Sequence, residues 1–204
     1  MKPNTMNLPS ILAIAMKPNT MKLPSILAFD VESNGLAGAA FAVGAVWYDP
    51  AGACQETFFA RCPIEGDVDP FVRAHVLPAL AGPDAGPTHP TAHAMRDAFW
   101  AWAAARWRTP GLVTLVDCGW PVDTGILTAC LCDDPRRANE GPYPLHDAAS
   151  LLYAAGYHPL HNYAPVVYPE APATPHHPVY DAHVSARCAR MALLTLAERG
   201  ITFA

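Results

Sequence analysis

The feature that most constrains this chain is an apolar run that ends in acid: Ser25-Ile26-Leu27-Ala28-Phe29-Asp30-Val31-Glu32-Ser33-Asn34-Gly35-Leu36. An apolar stretch closed by a Gly turn reads as a buried strand. Successive strand side chains point to opposite faces, so Asp30 and Glu32 project together while Val31 turns toward the core. Two carboxylates on a rigid strand end beside open space offer oxygen ligands to a hard divalent cation such as Mg²⁺. Asp-x-Glu also arises by chance, so the pattern needs partners further along the chain.

Those partners fall at the boundaries of later elements. Residues 39–48 and 55–62 read as two more strands separated by the turn signal Asp49-Pro50-Ala51-Gly52, giving an antiparallel meander with the first strand. A short helix is expected over 71–80 and a Thr91-capped helix over 92–106, its Phe99, Trp102 and Ala103 facing inward. Residues 111–116 form an apolar strand, parallel to the first because a helix precedes it. It runs into Asp117-Cys118-Gly119-Trp120-Pro121-Val122-Asp123, where Pro121 suits the first turn of a helix bearing Asp123. Residues 133–144 read as polar loop, 145–147 as the lead-in to a helix over 148–155, and 158–178 as a Pro-rich loop. A last helix over 181–199 places Asp181 in its first turn, where the helix dipole favours a carboxylate.

The 204 residues suffice for one full core but not two comfortable ones. A net charge of −5 excludes a global basic field gripping duplex nucleic acid, so any such substrate is held locally. Residues 1–15 are nearly repeated as 16–30. Because Ala15 stands where Asp30 stands, the first copy cannot bind metal the same way. It reads as a duplicated start outside the core, leaving 16–204 as a single domain. The scattered cysteines complete no zinc pattern, and no secretory signal or spanning apolar run is evident, which points to reduced thiols in a cytoplasmic protein.

The order Asp30-x-Glu32, a middle Asp123, and His176-x4-Asp181 opening a late helix resembles the DEDDh group of DnaQ-like 3′-to-5′ exonucleases. Phe29-Asp30-Val31-Glu32-Ser33-Asn34-Gly35-Leu36 looks like the first motif of that family, residues 39–46 like the strand after it, and His176-His177-Pro178-Val179-Tyr180-Asp181-Ala182 like the third motif. The resemblance covers the chain from about Leu23 onward. The middle motif departs from the family pattern, which often carries His-Asn before the central Asp, and Asp117 rivals Asp123 for that place.

The resemblance implies an α/β, RNase H-like fold: a central mixed β-sheet, three antiparallel strands plus parallel ones, flanked by helices. It implies a nuclease trimming single-stranded DNA or RNA from the 3′ end, with no membrane partner and a homodimer as a further expectation. Asp30, Glu32, Asp123 and Asp181 would hold two divalent cations, Mg²⁺ or Mn²⁺, in a two-metal hydrolysis of the phosphodiester. His176, with an ordinary pKa near about 6.5, suits a general base, and Glu32 would also meet the terminal 3′ hydroxyl. By the same resemblance the backbone of the turn Ser33, Asn34, Gly35 and Leu36 receives the last nucleotide, with Leu36 as a wedge, and Trp120, close to the expected cleft, offers a stacking platform. Leu36 and Trp120 read equally as packing residues. The alternative class is a catalytically silent RNase H-like module that binds nucleic acid or protein.

Overall fold

The computed structural model describes residues 23–82, 86–117 and 119–203, so the duplicated segment 1–15 lies outside the described residues. Strand β1 (Ile26–Ser33) contains both acids of the opening motif. It pairs antiparallel with β2 (Ala40–Tyr48), which pairs antiparallel with β3 (Cys54–Arg61), as the turn signal at 49–52 predicts. β4 (Val113–Val116) lies parallel to β1 on its other side. It is shorter than the expected 111–116 because Gly111 takes a positive φ of 71° and Leu112 N–H closes a turn onto Thr109.

A fifth strand, β5 (Leu145–Asp147), pairs parallel with β4, where the sequence suggests only a lead-in to a helix. Three residues carry no readable alternation, and this strand exists through its tertiary pairing. The sheet order β3-β2-β1-β4-β5 is the mixed sheet of an RNase H-like fold.

A widened, π-type turn at Val72–Val76 running into α1 (Leu77–Ala79) replaces the regular helix expected over 71–80. Pro78 has no N–H to return to the preceding turn, and Leu77 N–H instead reaches back to Val72. α2 (Ala92–Trp107) starts at Thr91, whose hydroxyl accepts from Ala94 N–H at 3.1 Å. α3 (Val122–Asp133) begins at Pro121 as the motif suggests, and a short 3₁₀ helix, Pro135–Asn139, interrupts the stretch expected to be loop. α4 (Ala148–Ala154) is capped by Asp147, and α5 (Ala164–Val167) is one turn inside the Pro-rich segment. α6 (Pro178–Glu198) starts three residues earlier than expected, because the fixed φ of Pro178 is preorganised for a first helical turn.

The two faces of β1 serve two cores. Leu27, Phe29 and Val31 pack with Phe41, Val43, Met95, Phe99 and Ile126 under α2 and α3. Ile26 and Ala28 face α6, where Ala182, Ala186, Ala189 and Leu193 line one stripe. The period of two then puts Asp30 and Glu32 on the α6 face, just beyond that apolar floor. Small side chains on α6 let the helix lie close to the sheet, and Gly44, paired with Asp30, permits the closest approach. A Cβ at Gly44 would sit 2.3 Å from the backbone of Pro178 and Val179. On the other side, Arg96 pairs with Asp133 and Arg137 with Asp97, tying α2 to α3 and to the 3₁₀ turn after it.

Candidate active site

The acids of the motif collect where the parallel strands end, the usual place for a ligand crevice in an open α/β sheet. A cavity of about 650 Å³ opens there, and Asp30, Glu32, Asp117, Asp123, Asp181 and His176 all line it. One oxygen each from Asp30, Glu32 and Asp181 lie within 4.8 Å of one another. β1 supplies the first two at the two-residue spacing of one strand face, and α6 brings the third over Gly44.

Asp123 stands beside this trio. It is buried at 4% exposure, and its Oδ1 accepts the N–H of Val31 at 3.0 Å, which ties the start of α3 to the backbone between the two strand acids. Asp117 lines the same cavity from the end of β4, its carboxylate accepting the hydroxyl of Ser185 at 2.5 Å.

Crowding leaves these groups reluctant to ionise together. Burial raises the Asp30 carboxyl well above its ordinary range, and Asp123, Asp181, Glu32 and Asp117 add to the rise. Glu32 is pushed up to about 8 by burial and then by Asp181 and Asp123. Asp181 is pushed up to about 7 by burial, with Asp117 and Asp123 adding to the rise against the stabilising N–H of His176. An all-oxygen donor set that resists its own negative charge fits a hard divalent cation, whose binding would reverse the local sign.

His176 reaches the site from the turn before α6. Its backbone occupies the left-handed region at φ 66°, rare for a side-chain-bearing residue, and this aims its N–H at Asp181 Oδ2, 2.7 Å away. Burial, with His75 nearby, holds the His176 imidazole below its ordinary value, so the ring is neutral at pH 7 and can accept a proton.

The turn after β1 is locked to a second loop. Asn34 Nδ2 donates to Asp67 O at 2.9 Å, and Asn34 Oδ1 accepts the N–H of Asp69 at 2.8 Å. Both ends of the Asn34 amide therefore hold the 67–69 loop against the strand. Gly35, at φ 80°, faces the Asp69 carboxylate, which would lie 3.1 Å from an added Cβ. Ser33 Oγ donates to Gly35 O, closing the turn.

Leu36 is 75% exposed and Trp120 is 79% exposed, and both line the cavity, so neither is a core residue. Phe71, 54% exposed, joins them. Three large apolar side chains held in water around one acidic cleft are available to flat or apolar parts of a ligand. Phe71 and Asp69 carry no motif, and their place follows from the amide clamp of Asn34, which sequence spacing does not reveal.

No protein-family model matches the chain, and no curated protein matches it by sequence. Among solved structures, one of exonuclease I aligns over 87% of this chain at a TM-score of 0.53 and 13% identity. The chain spans 44% of the length of that exonuclease chain. Escherichia coli exonuclease I in complex with a dT13 oligonucleotide and an exonuclease I from Methylocaldum szegediense align at TM-scores of 0.49 and 0.46, too low to bear on the fold. The first likeness agrees with the RNase H-like sheet order. Among the described residues no helix is long and apolar enough to cross a membrane.

Proposed function

We propose that this chain is a metal-dependent 3′-to-5′ exonuclease of the DEDDh type acting on single-stranded DNA or RNA. The observation that carries the reading is the meeting of Asp30, Glu32 and Asp181 within 4.8 Å in a cavity that His176 also lines. Asp30, Glu32 and Asp181, with Asp123 beside them, are the residues that would hold two divalent cations. When bound, such ions supply Lewis-acid activation of water and neutralise charge at the scissile phosphate.

The protein's own groups have distinct tasks in this account. The neutral His176 imidazole accepts the proton of the attacking water. Asp123 fixes the Val31 backbone, and with it the separation of the two strand acids. Glu32, on the strand end next to the Ser33–Leu36 turn, is the carboxylate suited to accept a hydrogen bond from a terminal 3′ hydroxyl. Leu36 and Trp120 offer surfaces to unpaired bases, whose faces are exposed only in single strands.

The test is a 5′-labelled single-stranded DNA and its RNA counterpart, incubated with Mg²⁺ or Mn²⁺. Ladders that shorten from the 3′ end, are abolished in Asp30→Ala and fall about 100-fold or more in His176→Ala support the reading. Oligonucleotides left intact by the wild-type protein yet shifted on a gel assign the chain to the silent binding class instead.

A further inference from the structure

Beyond the carboxylates and the base, the cavity holds an aromatic group that no motif explains. The ring of Phe71 meets that of His176 edge-on, at 88° with centroids 5.4 Å apart. His75 packs on Phe71 at 4.7 Å and stands 6.4 Å from His176. Phe71 leads into the widened turn after β3 and His75 lies within it, a segment whose entry is fixed by side chains and not by the sheet. Asp69 Oδ1 accepts the N–H of Phe71 at 2.8 Å, and Asp69 in turn receives its position from Asn34. A continuous set of contacts thus runs from the turn after Asp30 and Glu32, through Asn34, Asp69 and Phe71, to the ring of His176.

The geometry points to Phe71, backed by His75, as a positioning residue that sets the His176 imidazole over the acidic cage. This rests on the reading of His176 as the general base. The physical need is plain: His176 sits in a left-handed backbone conformation on a Pro-bounded turn, and its backbone N–H is spent on Asp181, while among the described residues its ring is met by the rings of Phe71 and His75. An edge-to-face contact gives that packing a preferred angle, which an aliphatic side chain of similar bulk does not. Placement errors of about an ångström at a reacting group can lower rates by up to about 100-fold.

The test uses the full chain with ¹³C-labelled histidine, in which the His176 ring resonance is the one lost in His176→Gln. The expected result is that Phe71→Leu displaces that resonance while Phe71→Tyr leaves it near its wild-type position. On the labelled single-stranded DNA with Mn²⁺, Phe71→Leu lowers kcat about 10-fold or more with KM within about twofold, and Phe71→Tyr restores it. Since Phe71 is more than half exposed, neither variant threatens the fold. A His176 resonance unmoved by Phe71→Leu overturns the positioning role whatever the activity, as does a change in KM alone. Failure of the wild-type protein to cut any oligonucleotide refutes the nuclease reading instead, and the resonance measurement distinguishes the two.

Discussion

Replacing Glu32 with Gln removes one charge from the acidic cage at almost constant shape, and it separates the needs of the fold from those of the site. Glu32 rises from an ordinary value of 4.5 to about 8 in the folded chain. Between those two values the folded state holds a proton that the unfolded state has released. Stability of the metal-free protein therefore falls as pH rises through this window and is level above it. At about 1.4 kcal/mol per pH unit the full rise is worth at most about 5 kcal/mol. Because water reaches Glu32 through the cavity, about 2 to 3 kcal/mol is the expected loss at pH 8.5. In EDTA at that pH, Glu32→Gln should melt about 4 to 12 °C above wild type, on the scale of about 2 to 4 °C per kcal/mol for a chain of this size. The gap should close toward pH 4.5. Excess Mn²⁺ should reverse the order, since wild type gains by binding and the variant loses a ligand. The assay is a set of thermal melts followed by circular dichroism at several pH values with and without metal. A variant no more stable than wild type in EDTA at pH 8.5, or a difference independent of pH, would refute the reasoning.

Other perturbations probe the supports of the site. Gly44→Ala forces a methyl to 2.3 Å from the first turn of α6, so it should lower stability by roughly 1 to 3 kcal/mol and weaken Mn²⁺ binding about 10-fold or more in a calorimetric titration as Asp181 is moved off Asp30. Asn34→Ala removes both hydrogen bonds that clamp the 67–69 loop; about 1 to 3 kcal/mol of stability should be lost, with new proteolytic cleavage between residues 63 and 70. Trp120→Ala, at a side chain 79% exposed, should leave the melting temperature nearly unchanged and raise KM for single-stranded DNA about 10-fold, read from initial rates.

The opening motif was legible because strand geometry is local. Period two alone puts Asp30 and Glu32 on one face and Val31 on the other, and the described structure has Val31 in the α2 and α3 core. The late helix was legible for a similar reason, Asp181 falling in its first turn. What stayed hidden depends on contacts between distant segments. β5 is three residues long and is a strand only because β4 lies beside it. The widened turn at 72–76 answers to Pro78 and to the loop before it, and nothing in its composition announces a cavity wall. Both ends of the Asn34 side-chain amide are engaged by the 67–69 backbone, a clamp visible only once the loop is in place. Spacing favours Asp123 over Asp117, because Gly125-Ile126-Leu127 follows it, and the cavity takes in both, Asp123 bound to the Val31 N–H and Asp117 to Ser185.

The account stands or falls on whether Asp30, Glu32 and Asp181 hold a divalent cation. The direct measurement is anomalous diffraction from crystals soaked in Mn²⁺ at pH 8. The account predicts a peak among those three carboxylates, with a second on the Asp123 side, and loss of the first in Asp181→Asn. Absence of any peak among the trio, or density confined to the surroundings of Asp117 and Asp147, would contradict it.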